Sequence, residues 1–196
     1  EAFHLIGYLH QCLTLPGDIC ELGVAEGATS ALLANEIQET DKHLWLFDSF
    51  QGLPKPTEKD ELIHDIYKLG KMEDYEGYMS YPQDSALGRL RKVEFSPKRT
   101  HIVPGFIEEV AKSSHLPESI CFAYIDFDFY EPILTGLKLI HERLAVGGFI
   151  VIDDYGYFSS GAKTATDEFV QSVHPRYEFI APYFGKEGFA ILRKRS

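Results

Sequence analysis

Apolar side chains follow two different spacings along this chain. A nearly helical spacing predicts helices over residues 3–14, 28–37, 86–93, 132–144 and 162–173, and a further helix opens after Gly105. Short continuous apolar runs lie between them and predict strands over residues 18–22, 43–47, 101–103, 120–125 and 149–152. Two last runs, 177–181 and 188–192, are typical of a closing antiparallel pair of strands.

Strand and helix therefore alternate from end to end, which indicates a mostly parallel sheet covered by helices on both faces. We predict an α/β protein with one Rossmann-like, doubly wound domain over residues 1–196 and antiparallel C-terminal strands. The 196 residues, 44% of them hydrophobic, are enough for one well-buried core.

Residues 49–85 interrupt this alternation after the second strand. They are rich in proline, glycine, acidic residues and tyrosine, and only short stretches such as Lys59–Leu69 could form a helix. A connection of this length in a compact domain is usually functional. We predict a lid that helps to select the substrate. Its tyrosines either line an aromatic pocket or anchor the insertion to the domain: Tyr67, Tyr75, Tyr78 and Tyr81.

The composition limits the classes of partner that the protein is expected to bind. The formal net charge of −11 disfavours nucleic acid, and no apolar run approaches the roughly 20 residues of a membrane span. No leader segment is visible, although the chain begins at Glu1 without a methionine, which leaves open what precedes it. Cys12, Cys20 and Cys121 have no CxxC spacing and are expected to be reduced core residues, which favours a cytoplasmic setting. We expect a small-molecule partner, and a homo-oligomer is left open.

Two of the predicted strands end in aspartates. Asp126 and Asp128 follow strand 120–125, and Asp153 and Asp154 follow strand 149–152. Open α/β sheets bind ligands at the carboxyl ends of their strands. Four acids there repel one another unless protons or a cation intervene, and Mg²⁺ prefers such oxygen ligands. Alternatively, Asp153 and Asp154 form a turn before Gly156, and Asp126 caps the next helix.

A glycine-bearing turn joins the first strand to its helix, with Glu21, Gly23 and Gly27 along it. It is not the GxGxxG pattern of pyrophosphate binding, because the glycines are four residues apart and Glu21 would repel a pyrophosphate. A carboxylate suits the ammonium and sulfonium groups of S-adenosylmethionine. The alternative is an ordinary turn made flexible by glycine.

Asp48 stands at the end of the second strand, about twenty residues after the glycine turn. An acid in this position can bind both ribose hydroxyls of a nucleoside, whether in a dinucleotide or in an adenosyl sulfonium. Alternatively, it is only a strand-end residue. The eight histidines show no metal-binding spacing, so His64, His115, His141 and His174 are expected at the surface or in packing, and Lys163 is expected in solvent.

Five segments carry a resemblance to a known family: Pro16-Gly-Asp-Ile-Cys-Glu-Leu-Gly23-Val, Phe47-Asp-Ser-Phe-Gln-Gly-Leu-Pro54, Tyr124-Ile-Asp-Phe-Asp-Phe-Tyr130, Gly147-Gly-Phe-Ile-Val-Ile-Asp-Asp-Tyr-Gly156 and Gly161-Ala-Lys-Thr-Ala-Thr-Asp-Glu-Phe169. With them the chain resembles the macrocin O-methyltransferase family of class I S-adenosylmethionine-dependent enzymes, which methylate sugar hydroxyls of antibiotics and related natural products. One departure is Ala25-Glu26-Gly27-Ala28, where the family often has Trp-Arg-Gly-Gly.

The resemblance implies a role for each site residue. It implies Mg²⁺ ligation by Asp126, Asp153 and Asp154, with Asp128 as the general base. It implies that the methionine part of the cofactor is held by Glu21, Gly23, Gly27, Thr29 and Ser30, and that Asp126 also borders the cofactor. Asp48 and Ser49 would hold the ribose, and Phe106 would flank the adenine.

We therefore expect an S-adenosylmethionine- and Mg²⁺-dependent O-methyltransferase acting on a hydroxyl of a sugar or another diol-bearing natural product. Coordination to the metal would lower the proton affinity of the hydroxyl, and a nearby carboxylate would remove its proton. Two alternatives remain: a nicotinamide-dependent oxidoreductase on the same fold, and a non-catalytic adenosyl-binding module.

Overall fold

A computed structural model describes residues 2–113, 115–180 and 188–196. Within them, one sheet contains the strands β1 (Asp18–Leu22), β2 (Leu44–Asp48), β3 (Thr100–Pro104), β4 (Ile120–Ile125), β5 (Leu144–Ile152), β6 (Tyr177–Ile180) and β7 (Ala190–Lys194). The strand order is β3-β2-β1-β4-β5-β7-β6. The strands from β3 to β5 in this order pair in parallel, and β7 runs antiparallel to both of its neighbours. The predicted α/β sheet with an antiparallel C-terminal pair is confirmed.

Helices cover both faces of this sheet. They are α1 (Ala2–Cys12), α2 (Ala28–Glu36), α3 (Gln83–Lys92), the single turn α4 (Ile107–Val110), α5 (Tyr130–Arg143) and α6 (Ser160–Ser172). One core packs side chains of α5 and α6 against the sheet, and the other packs α1, α2 and α3 against its opposite face. All six residues of β4 are buried because the strand lies between these layers. Among the described residues, no helix is long and apolar enough to span a bilayer.

Most element boundaries lie within three residues of the prediction, and two exceptions have local causes. The stretch Lys59–Leu69, which could have formed a helix, does not, because the Asp65 carboxylate accepts hydrogen bonds from the amides of Leu69 and Gly70 and closes a turn instead. Strand β5 begins five residues earlier than the predicted 149. Its pairing with β4 shifts register, and this irregularity allows Gly147 and Gly148 to be part of the strand. The predicted strand end at residue 181 lies outside the described residues.

The insertion after β2 is tied to the segment that follows β5. The Ile63 amide donates to the Phe158 carbonyl at 2.9 Å, and the Ser160 amide donates to the Glu61 carbonyl at 2.9 Å. A small apolar cluster joins the two segments to each other and to the start of α5: Leu53, Met72, Tyr75, Phe129 and Phe158. Two 3₁₀ turns, Met72–Tyr75 and Pro97–Arg99, lie on either side of α3. The insertion is therefore packed onto the domain here, and a lid-like movement stays a prediction.

The three cysteines are buried and unbonded, as expected. Burial raises the pKa of Cys12 to about 12 and also raises that of Cys121. Thiols of this kind are poor nucleophiles at neutral pH, so they act as packing residues.

Candidate functional site

The register of the parallel strands aligns their carboxyl ends in one row. Leu22 of β1 pairs with Phe47 of β2 on one side and with Ile125 of β4 on the other, and Ile125 in turn pairs with Ile152 of β5. The next residue of each segment reaches the same edge of the sheet: Gly23, Asp48, Asp126 and Asp153. Four positions that are far apart in the sequence are thus brought together by strand pairing alone.

A cavity of about 350 Å³ opens at this edge. It is lined by most of the residues predicted from the sequence, namely Glu21, Gly23, Thr29, Asp48, Ser49, Phe106, Asp126, Asp128, Asp153 and Asp154. Gly27 and Ser30 are not part of this lining, although the Ser30 hydroxyl bonds to Glu21, which is. The two halves of the predicted site, the glycine turn and the aspartates, therefore border one continuous space.

Both glycines of the turn are required by close contacts. Gly23 has φ +94°, and a Cβ placed there would lie 1.9 Å from the carbonyl oxygen of Asp126. Gly27 has φ +82°, and a Cβ there would lie 2.6 Å from the Cα of Ala86 in α3. Gly23 lets the turn approach the end of β4 at the cavity, whereas Gly27 serves the packing of α2 against α3.

Glu21 is a buried acid in the cavity wall, with only 1% of its surface exposed. Its carboxylate accepts a hydrogen bond from the Ser30 hydroxyl of α2. Burial raises its pKa to about 8; the Ser30 hydrogen bond opposes this rise, and the negative charge of Asp48 adds to it. A cationic ligand in the cavity would favour the ionised form of Glu21. Ser30 does not line the cavity itself and would influence a ligand only through its hydrogen bond to this carboxylate.

Asp48 holds the glycine turn in place. One carboxylate oxygen, Oδ2, accepts the main-chain amides of Val24 at 2.7 Å and Ala25 at 3.0 Å. The other, Oδ1, accepts the amide of Phe50 at 2.7 Å. The adjacent Ser49 hydroxyl donates to the Gly52 carbonyl at 3.1 Å. The acid predicted to bind ribose thus also joins the turn to the start of the insertion.

Three carboxylates come together on the other side of the cavity. Asp126, Asp128 and Asp154 each offer one oxygen within 4.8 Å of the others, and they are the only such group of potential metal ligands in the described parts of the chain. Asp128 is 8% exposed, and its burial together with repulsion by Asp154 and Asp153 raises its pKa well above the usual range. Such a cluster of hard oxygen donors, with excess negative charge, fits Mg²⁺.

The backbone at this cluster is strained. Asp128 has φ +62° and Asp154 has φ +52°, in the left-handed region that side chains with a Cβ seldom adopt. These conformations turn the chain sharply after β4 and β5, and they bring the two side chains toward the same space. Strain of this kind is concentrated at functional sites.

Asp153, which the resemblance assigns to the metal, lies beside this group. Its Oδ2 accepts a hydrogen bond from the buried Tyr124 hydroxyl at 2.6 Å, and the same hydroxyl lies 3.4 Å from Asp126 Oδ2. The Asp153 amide continues the ladder by donating to the Ile125 carbonyl at 2.8 Å. Geometry therefore groups Asp128 with Asp126 and Asp154, and metal ligation by Asp153 stays a prediction.

The helix-cap alternative for Asp126 is wrong. Helix α5 begins at Tyr130, and Phe129 occupies the cap position. The Tyr130 amide instead donates to Asp60 Oδ1 of the insertion at 2.7 Å. The cap of α5 is thus supplied from a distant segment, and no spacing within the sequence indicates this contact.

The insertion tyrosines divide between the two predicted roles. Tyr67 and Tyr81 line the cavity, together with Ile66 and Met79, for which the sequence predicted no role. Tyr75 is fully buried, and its hydroxyl donates to Asp65 at 2.7 Å, so it anchors the insertion. Irregular segments have no periodicity, so the sequence carried no signal that separates these residues.

The residues that were predicted to have only packing or surface roles do not line the cavity. His64 stacks on Tyr157, and His141 packs against Phe169 and Tyr177. Lys163 is half exposed and donates to Asp167 at 2.5 Å. These contacts agree with packing and surface roles.

Known proteins resemble this chain in sequence and in fold. It is 24% identical over 181 residues to 8-demethyl-8-(2,3-dimethoxy-alpha-L-rhamnosyl)-tetracenomycin-C 4'-O-methyltransferase of Streptomyces olivaceus, covering 91% of the chain and 66% of that relative. It is 28% identical over 148 residues to mycinamicin III 3''-O-methyltransferase of Micromonospora griseorubida, covering 72% of the chain and 56% of that relative. The chain thus spans between about half and two thirds of the length of these relatives.

The fold matches a solved structure over its whole length. The O-methyltransferase NovP superposes with a TM-score of 0.82 at 19% identity, covering 100% of this chain and 79% of that one. The model of the macrocin O-methyltransferase family (TylF) matches residues 10–175. This match includes the glycine turn, the insertion and all four aspartates at the strand ends, and the chain belongs to the macrocin O-methyltransferase family.

Proposed function

We propose that this protein transfers a methyl group from S-adenosylmethionine to a hydroxyl of a sugar or another diol-bearing natural product, with the help of Mg²⁺. The observation that supports it most directly is that one continuous cavity joins the glycine turn and Asp48 to the group Asp126, Asp128 and Asp154. Family membership supports the same reaction, and the substrates of the relatives suggest glycosides.

The cofactor fits one half of this cavity by its charges. Glu21 faces the space in which the ammonium and sulfonium groups would lie, and Gly23 allows the backbone to approach them. Asp48 and Ser49 stand where ribose hydroxyls would bind, and Phe106 lines the wall next to them. When bound, S-adenosylmethionine supplies the methyl group; the chain holds it in line with the acceptor.

The metal fits the other half. Asp126 and Asp154 would hold Mg²⁺, and the excess negative charge of the cluster favours this binding. When bound, the ion supplies positive charge that lowers the pKa of the acceptor hydroxyl. With the charge of the cluster balanced by the ion, Asp128 would be ionised, and its carboxylate would accept the proton of the hydroxyl.

The two alternative functions have less support. A nicotinamide-dependent oxidoreductase would bind a pyrophosphate at the turn, but this turn lacks the GxGxxG pattern, because its glycines are four residues apart. A non-catalytic adenosyl-binding module would have no use for the carboxylate group. We further propose a cytoplasmic setting and a small-molecule acceptor, and the net charge of −11 argues against nucleic acid as a substrate.

The test combines binding with turnover. Calorimetric titration should show binding of S-adenosylmethionine and none of NAD. A screen of glycosides and diols should show methylated products by mass spectrometry, and EDTA should abolish them, with added Mg²⁺ restoring the yield. Binding of NAD in place of S-adenosylmethionine, or full turnover in EDTA, would contradict the proposal.

A further inference from the structure

Tyr67 is held firmly at the cavity although its ring is 44% exposed. Its amide donates to the hydroxyl of Tyr75 at 3.1 Å, and that hydroxyl donates to Asp65 at 2.7 Å. The same carboxylate accepts the amides of Leu69 and Gly70, both at 2.8 Å. The backbone on both sides of Tyr67 is therefore fixed, and the ring is presented to the cavity without being buried.

The neighbours of Tyr67 form an apolar surface together with its ring. Ile66 is 42% exposed and lines the cavity, as does Tyr81. Tyr78 packs against the Tyr67 ring with 4.8 Å between centroids and is 40% exposed, but it is not part of the cavity lining. Exposed apolar side chains that are grouped around a cavity are characteristic of ligand contacts.

This surface lies on the acidic side of the cavity. Tyr75, whose hydroxyl holds the Tyr67 amide, packs against Phe158 with 4.9 Å between ring centroids. It shares an apolar cluster with Phe129, the residue that follows Asp128, so Tyr67 is anchored to the segments that carry the carboxylates. The glycine turn and Asp48, which suit the cofactor, come from other elements of the sheet. A molecule whose hydroxyl reached Asp128 would therefore meet Tyr67 with its adjoining part.

We infer that Tyr67, supported by Ile66 and Tyr81, determines acceptor specificity by contacting a flat apolar group next to the hydroxyl-bearing ring. The acceptor is then a glycoside with an aromatic or similarly flat aglycone, rather than a free sugar. The inference rests on the proposed function for the hydroxyl-bearing part. The contact itself needs only the apolar wall, because aromatic rings favour offset or edge-to-face packing with other flat groups.

The experiment compares two probes that differ only in the aglycone. Phenyl α-L-rhamnopyranoside and methyl α-L-rhamnopyranoside are titrated calorimetrically into protein saturated with S-adenosylhomocysteine and Mg²⁺. The unmodified protein should bind the phenyl glycoside about tenfold more tightly than the methyl glycoside. Tyr67→Ala should reduce this ratio to about one, whereas Tyr67→Phe, which keeps the ring, should retain it.

Tyr78→Ala is the matched control, because it removes an equally exposed insertion tyrosine that stays outside the cavity. It should keep the tenfold ratio, and thermal unfolding should show both alanine variants folded. A ratio that persists in Tyr67→Ala, falls equally in Tyr78→Ala, or is absent in the unmodified protein would overturn the inference. Methyl transfer onto either probe is measured separately. Binding without turnover would count against the proposed function, whereas the ratio of the two affinities would still test the role of Tyr67.

Discussion

The Asp48 carboxylate and the Val24 main-chain amide are joined by a hydrogen bond of 2.7 Å. The same carboxylate also accepts the amides of Ala25 and Phe50. An acid expected to bind the cofactor ribose is thus also the residue that sets the shape of the glycine turn. Cofactor affinity and the local conformation of the turn should therefore be coupled through one side chain.

Asp48→Asn should weaken S-adenosylhomocysteine binding by about tenfold to a hundredfold, because a hydrogen bond to a charged group contributes about 1.5–3 kcal/mol. The asparagine amide also places a donor against the donating main-chain amides, so the thermal midpoint should fall. Calorimetry and thermal unfolding measure the two effects. Asp41→Asn, an exposed acid with the same change in charge, is the control and should change neither. Unchanged affinity in Asp48→Asn would contradict the assignment.

Gly23→Ala should destabilise the protein by at least about 2 kcal/mol, because the left-handed backbone alone costs 1–2 kcal/mol with a Cβ present. The added atom would also collide with the Asp126 carbonyl oxygen. Gly88→Ala is the matched control: it lies in α3 with open space around it, and it should stabilise by about 0.5–1 kcal/mol. Denaturant unfolding measures both changes, and equal effects of the two substitutions would contradict this account of the turn.

Glu21 should make the stability of the ligand-free protein depend on pH. Its pKa is raised from 4.5 to about 8, so between these values the folded state holds a proton that the unfolded state has lost. The contribution is complete below about pH 4.5 and is lost as the pH rises through 8. The free energy of unfolding of Glu21→Gln should therefore rise progressively above that of the unmodified protein from pH 5 to pH 8, by about a few kcal/mol.

The control for this pH series is Glu39→Gln, which changes an exposed acid and should give a constant difference. S-adenosylmethionine binding near pH 7 should release a proton from Glu21, because the positive charges of the cofactor favour the carboxylate. Calorimetry in buffers of different ionisation enthalpy detects this release, which should be absent in Glu21→Gln. A parallel pH dependence of the two stabilities would show that Glu21 is not protonated in the folded state.

Asp128→Asn should retain cofactor binding and lose at least about a hundredfold in turnover, the usual contribution of a general base. The measurement is the initial rate at saturating S-adenosylmethionine and Mg²⁺, beside a calorimetric cofactor titration. Asp167→Asn, an exposed acid paired with Lys163, controls for the lost charge. Turnover equal to that of the unmodified protein would refute the assignment of the base.

Asp154→Asn should weaken Mg²⁺ binding more than Asp153→Asn does, because Asp154 belongs to the three-carboxylate group and Asp153 bonds to the Tyr124 hydroxyl. The expected loss is about tenfold or more for Asp154→Asn. Calorimetric Mg²⁺ titration of protein saturated with S-adenosylhomocysteine measures both. Equal losses of affinity would contradict this prediction and would support Asp153 as a metal ligand, as the resemblance implies.

Much of the site was predictable because strand ends have regular consequences. The buried runs before Gly23, Asp48, Asp126 and Asp153 identify parallel strands, and parallel strands in register bring their carboxyl ends to one edge. The insertion was predicted only as a long irregular segment. Its side-chain contacts, such as Asp60 with the Tyr130 amide, join residues that no local pattern relates.

The sequence by itself determined the alternation of strands and helices, the place of the glycine turn and the identity of the acids at the strand ends, because these follow from hydrophobic periodicity and residue chemistry. Tertiary structure decided which acids meet, that Asp48 holds the turn, and that Tyr67 faces the cavity while Tyr75 anchors the insertion. Those outcomes depend on left-handed turns and long-range packing, whose geometry is set only when distant segments come into contact.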